Sequence, residues 1–171
     1  MQFFSIARAG VSSLFFIALI GCDDVGSTGQ SSFKLQYASA RDALEKGQFE
    51  QANRRYKRLI PISGSLQPRL RLELAHSYLR SGDFAAAAKE ARYLASSQSG
   101  EAKAAALSVQ GTAEHELGLK ALSNGDNAQG KPLLQSADRA MAAVLKSHSS
   151  LDPLGSLAGR RASIKVRLRS L

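Results

Sequence analysis

The sequence predicts an all-α chain of antiparallel helix hairpins, and three observations carry that prediction. The first is a recurrence: Gly47-x-Phe49-x-x-Ala52 returns 35 residues later as Gly82-x-Phe84-x-x-Ala87. A period of this size marks tandem helical hairpins, each of which buries its apolar face against the next. The second is composition, because alanine and leucine abound, β-branched residues are few and tryptophan is absent. The third is the stretch Leu72 to Ala91, LELAHSYLRSGDFAAAAKEA, which reads as two helices around a Ser-Gly-Asp break. Leu74, Ala75 and Tyr78 share one helical face. Gly82 can adopt the positive φ that ends a helix, and Asp83 can cap the next one. Phe84 then fills the corner, and Ala87 is small enough to let the two helices approach closely.

Taken at this spacing, these residues resemble the tetratricopeptide repeat family, whose helix pairs recur about every 34 residues. The resemblance is close from Phe33 to Ser99 and loose beyond. It implies hairpins stacked as a short right-handed solenoid, with the first helix of each pair lining a concave surface that receives a peptide or a partner helix.

In chain order, residues 1–21 are expected to be a leader. Arg8 precedes an apolar run, Val11 to Ile20, which is too short to span a bilayer comfortably and suits a signal-peptide core. The run ends in Leu19-Ile20-Gly21-Cys22, which resembles the bacterial lipobox. That resemblance implies cleavage before Cys22 and attachment of lipid to its thiol, giving a bacterial envelope protein facing the periplasm. Cys22 is the single cysteine of the chain, so no internal disulfide can form. Asp23 and Asp24 follow; in the enteric lipoproteins this resembles, Asp after the Cys favours the inner membrane, with the outer membrane as the alternative. Residues 22–32 are Gly/Ser-rich and aperiodic, and are expected to form a flexible tether spanning on the order of 18 Å.

The repeats are expected over residues 33–149. The first hairpin places Tyr37, Ala40, Ala43 and Leu44 on one helix and Phe49, Ala52, Tyr56 and Leu59 on the next, which Pro61 stops. Ile62 to Gln67 is a linker, and Pro68 suits the start of the second hairpin, which continues to about Ser97. A third helix is expected over Glu101 to Gly118. Its turn signal is delayed to Ser123-Asn124-Gly125-Asp126-Asn127, so the reading is a degenerate third repeat with an extended turn. Lys131-Pro132 is expected to open the following helix, which carries Ala137, Met141 and Val144 to about His148. Residues 150–171 are expected to be a basic capping helix with Leu157, Ile164, Leu168 and Leu171 on one stripe, because a terminal repeat must cover its neighbour's core. Alternation of Ile164, Val166 and Leu168 leaves a short strand as the alternative there.

Twenty-three basic against 14 acidic residues give a net charge of +9. A nucleic-acid role is excluded, since no aromatic–basic platform accompanies the charge and an exported protein rarely meets nucleic acid. The inventory for catalysis is thin. His76, His115 and His148 lie on separate expected helices, and Glu114-His115 lacks the second His of a zinc-protease helix. The Asn/Asp turn lacks the ligand spacing of a calcium loop. No enzyme activity, metal or cofactor is expected beyond the lipid on Cys22. What remains is binding. Counting along the repeat places Lys34, Tyr37 and Arg41 of the first hairpin and His76, Leu79 and Arg80 of the second in the groove that the resemblance implies. Such a groove suits an acidic, partly apolar peptide or helix of an envelope protein. The Lys/Asn carboxylate clamp of some family members is unmatched, since Leu72 and His76 stand at those places. Two basic clusters, Arg54, Arg55, Lys57 and Arg58 and then Arg160, Arg161, Lys165, Arg167 and Arg169, are either solvated faces or contacts for anionic polysaccharide, peptidoglycan or lipid headgroups.

Overall fold

A computed structural model of the chain describes residues 25–171. The expected leader and Cys22 lie outside the described residues. Within them the protein is all-helical: α1 (Val25–Glu45), α2 (Phe49–Leu59), α3 (Gln67–Arg80), α4 (Phe84–Ser97), α5 (Gly100–Ser123), α6 (Asn127–Ser147) and α7 (Ser156–Arg169). Short 3₁₀ turns at Ile60–Ile62, Gly64–Leu66 and Ser149–Leu151 complete it. The C-terminal segment is therefore helix and not strand.

The same turn closes all three hairpins. Gly47, Gly82 and Gly125 have φ of 74°, 79° and 79°, a conformation that a side chain would strain. Each glycine N–H bonds the carbonyl three residues back, on Leu44, Leu79 and Leu122 at 3.1, 3.2 and 3.0 Å. The next N–H reaches five back, from Gln48 to Ala43, Asp83 to Tyr78 and Asp126 to Ala121, at 2.8, 3.0 and 2.9 Å. This paired pattern satisfies the last carbonyls of each first helix. Asp83 and Asp126 then cap α4 and α6 by accepting from Ala86 N (3.1 Å) and Gln129 N (2.9 Å), whereas Gln48 makes no side-chain cap on α2.

Three expected boundaries are corrected. α1 begins at Val25, inside the segment expected as a tether: that stretch contains no proline to stop a helix running outward from the packed segment, although Gly26 and Gly29 weaken it. The third hairpin has no extended turn, because its added length is helix, 24 residues in α5 and 21 in α6 against 14 in α3. And α6 starts at Asn127, with Pro132 inside it, since the Asp126 cap fixes the start. Proline only one turn in removes a single backbone bond.

Each helix packs on its neighbours in sequence, and α3 and α5 as well as α5 and α7 also touch. One core joins α1 to α4 around Tyr56, Leu59, Leu70 and Leu74. A second joins α5 to α7 around Leu134, Met141, Val144, Leu157 and Ile164. Between them lie two groups of small residues, Ala75, Ala91 and Val109, then Leu94, Ala95 and Ala106. No described helix is long and apolar enough to cross a membrane.

Candidate functional site

The first helices of the first two hairpins, α1 and α3, meet over the Glu73 carboxylate. Glu73 accepts from Tyr37 Oη on Oε1 at 2.6 Å and from Tyr56 Oη on Oε2 at 2.8 Å. Arg69 Nε adds a bond to Oε1 at 3.3 Å. Burial first, and the bond to Glu73 second, raise both tyrosine pKa values, so both phenols stay protonated and donate. Tyr37 is thus half-buried and engaged, holding α1 on α3. The signal available in the sequence is spacing: Glu73 lies one turn after Arg69, three residues before His76 and seven before Arg80, on one side of the helix.

Beside this network, Arg41, Leu44, Glu45, Glu73, His76 and Arg80 line a groove of about 280 Å³. Arg80 Nη1 donates to the Leu44 carbonyl at 3.0 Å, and its guanidinium lies 5.2 Å from the Phe49 ring centroid. The C-terminal carbonyl of α1 and the ring together hold that cation at the groove wall. Arg41 pairs with Glu45 at 3.2 Å, both exposed, a contact worth only a few tenths of a kcal/mol, about 0.3–0.5, and easily exchanged for a ligand carboxylate. His76 is exposed to the groove; desolvation by its walls lowers its pKa, Arg80 lowers it further and Glu73 opposes. A neutral imidazole beside Glu73 and Arg80 can both donate and accept.

The six expected groove residues are therefore divided. Arg41, His76 and Arg80 come together, and Tyr37 borders them through Glu73. Lys34 is exposed on α1 but is not among the residues lining the groove. Leu79 is half-buried against Ala75, Ala91 and Val109 and belongs to the core, because it follows Ala75 by one turn on the buried face of α3.

The two basic clusters divide likewise. Arg54 and Arg58 are exposed, but Arg55 Nη1 donates to the Ser39 carbonyl at 2.7 Å, tying α2 to α1, and the Lys57 ammonium lies 5.5 Å from the Tyr78 ring centroid. Arg160 is paired with Glu116 and donates to His115 Nδ1 at 2.9 Å, and Arg161 pairs with Asp138 at 2.9 Å. These two arginines fasten α7 to α5 and α6 and leave Lys165, Arg167 and Arg169 exposed.

The Glu114-His115-Glu116 run points to opposite neighbours. Glu114 is fully buried and accepts on Oε1 from Arg92 Nε (2.6 Å) and Gln110 Nε2 (3.0 Å), an α4–α5 link with no sequence signal beyond the charge pair. His115 accepts from Arg160 on Nδ1 and so carries its proton on Nε2; burial first and Arg160 second lower its pKa. Among the described residues no three His, Cys, Asp or Glu side chains gather as metal ligands. Compared with protein-family models, curated proteins and solved structures, the chain matches none.

Proposed function

We propose that this chain is a lipid-anchored, tetratricopeptide-like adaptor that binds an envelope protein between α1 and α3 and scaffolds a bacterial assembly or export complex, such as outer-membrane protein, pilus or polysaccharide machinery. In this reading Cys22 carries the lipid, the domain faces the periplasm, the hairpins stack as a right-handed solenoid and α7 caps it. The chain is a binding module and not an enzyme. The observation that carries the reading is the convergence of Arg41, His76 and Arg80 on one groove between the first helices of successive hairpins. The triple recurrence of the glycine turn supports the repeat architecture. The ligand is an acidic, partly apolar peptide or helix: two guanidinium groups match carboxylates, and Leu44 supplies an apolar wall.

Photo-crosslinking residues placed in cells at Arg41 and His76, with exposed Lys89 on α4 as control, test this. Capture of one protein from the two groove positions alone is the expected result. Equal labelling from all three, or capture of glycan only, would overturn it. The second reading, a charge-driven module for anionic polysaccharide, peptidoglycan or lipid headgroups, draws on exposed Lys165, Arg167 and Arg169 with no acidic residue after Asp152. Polyanion binding of that kind weakens gradually with salt and with each lost charge, whereas groove binding falls abruptly on Arg80→Ala.

A further inference from the structure

Alternating hairpins sort their connections onto two ends. The three glycine turns occupy one end and present Lys46, Gln48, Ser81, Asp83, Asn124 and Asp126, all polar and exposed. The start of α1 and the connections between hairpins, around residues 60–66, 98–99 and 148–155, occupy the other. Contacts fix this grouping. Gly29, Phe33, Ile62 and Leu66 line one hollow, and Ser65, Arg69, Leu94, Gln98 and Ala102 line the next. Leu151 packs on the core group that contains Ala104, near the start of α5.

This second end is apolar where the first is polar. Ile62, Leu66 and Leu154 are 67%, 42% and 93% exposed, although each follows or precedes a helix that could have buried it. Around them Arg58, Lys103 and Lys146 are exposed cations. Glu101 is the exposed acid among them; the Asp152 carboxylate is already engaged, accepting from Leu157 N at 2.9 Å and Ala158 N at 3.0 Å to cap α7. Protruding aliphatic side chains ringed by cations are what a bilayer interface with anionic headgroups accepts.

We infer that the end bearing Ile62, Leu66 and Leu154 seats directly on an anionic membrane surface, with those three side chains entering the interface. The inference rests on the lipid-anchor reading, and chain length selects the membrane as the occupant. Cys22 lies three residues before the start of α1, at most about 11 Å of extended chain, so a lipid on that thiol holds this end and no other at the bilayer. The same geometry removes the C-terminal cations from the surface: α7 begins at the seated end, and its 14 residues carry Arg169 about 20 Å away from it.

The test uses the lipidated full-length protein in vesicles of phosphatidylethanolamine and phosphatidylglycerol. An environment-sensitive fluorophore is placed on single variants Ile62→Cys, Leu66→Cys, Leu154→Cys, Lys46→Cys, Asn124→Cys and Arg169→Cys. Spin-labelled lipid is expected to quench the first three several-fold and the last three hardly at all. Vesicles of phosphatidylcholine alone should weaken the quenching while the protein still floats with them. Flotation with the first three probes unquenched, or with all six quenched equally, would overturn the seating and leave the lipid anchor standing. A protein that fails to float would overturn both.

Discussion

In the first two hairpins a phenylalanine follows the turn glycine by two residues, whereas in the third an exposed asparagine, Asn127, stands there. Three residues further on, Ala52 and Ala87 of the first two give way to Gly130. Those two changes belong together. Phe84 packs on the first core, Phe49 lies half-buried beside its own turn under the Arg80 guanidinium, and Tyr56 fills the core behind, with Ala52 and Ala87 fully buried at the crossing. Without the ring, α5 and α6 close on each other. A Cβ on Gly130 would lie 2.5 Å from Leu122 Cδ2 and 3.1 Å from the Gly118 carbonyl, and one on Gly118 would lie 2.8 Å from Leu134 Cδ2. Gly111 is equally tight against Met141, 2.9 Å from its Cγ. One turn thus serves two packing solutions: a phenylalanine after the turn with alanine at the crossing, or glycine contacts that bring α5 and α6 close together.

Breaking the aromatic solution should have the largest effect. Tyr56→Ala empties a fully buried site and strips Glu73 of its Oε2 partner, and is expected to cost about 4 kcal/mol in urea unfolding. Tyr56→Phe keeps the ring and loses the hydrogen bond, for about 1–2 kcal/mol. Equal losses in the two variants would mean that the Glu73 network, and not the ring, holds the first hairpins. Breaking the glycine contacts comes next: Gly130→Val is expected to cost about 2–3 kcal/mol by overpacking against Leu122 and the Gly118 backbone. Its counterpart Ala52→Gly should cost only about 1 kcal/mol, from backbone entropy. A neutral Gly130→Val would show that α5 and α6 can separate freely, and would dissolve the contrast.

The contrast also explains what was legible in the sequence. Gly47 and Gly82 with their phenylalanines announce two hairpins, because turn chemistry and corner packing both speak locally. Gly125 announces a third turn, but without its ring the register beyond it is lost, and Pro132 draws the helix start away from Asp126. Gly130, the matching small residue, reads as loop composition until the crossing is seen. In the groove, Arg41, His76 and Arg80 follow from helical counting. Leu79 does not, since whether a flank residue faces groove or core depends on where α5 lies. The roles of Glu73 and Glu114 are hidden for the same reason: a carboxylate reads as solvated until partners from other helices, here Tyr37, Tyr56 and Arg92, are known.

A pH titration sharpens the comparison, since each half holds one histidine of depressed pKa, His76 beside α1 and His115 beside α7. The native state then binds fewer protons than the unfolded chain, whose histidines titrate near 6.5. The stability these groups contribute is present above that value and is lost as pH falls through their lowered native pKa values. Urea midpoints should therefore drop from pH 7.5 toward pH 5.5. His115→Gln should flatten part of that drop, and an unchanged slope would mean that burial and Arg160 do not depress His115 in solution.

The smallest effect concerns the caps, where the first hairpin differs from both the second and the third. The third hairpin lacks the phenylalanine yet has the better helix start, because Asp126 accepts from Gln129 N while Gln48 gives α2 no side-chain cap. The second hairpin has both Phe84 and the Asp83 cap, so ring and cap are independent devices, and only α2 starts without a side-chain cap. Asp126→Ala is accordingly expected to lose about 1 kcal/mol, and Gln48→Asp, which places a short carboxylate before Phe49, to gain somewhat less than about 1 kcal/mol. Measured by thermal unfolding, a gain from Gln48→Asp as large as the loss from Asp126→Ala would show that the two helix starts differ by the cap alone. A loss from Gln48→Asp would place Gln48 in a contact that its geometry as a helix-start residue does not explain.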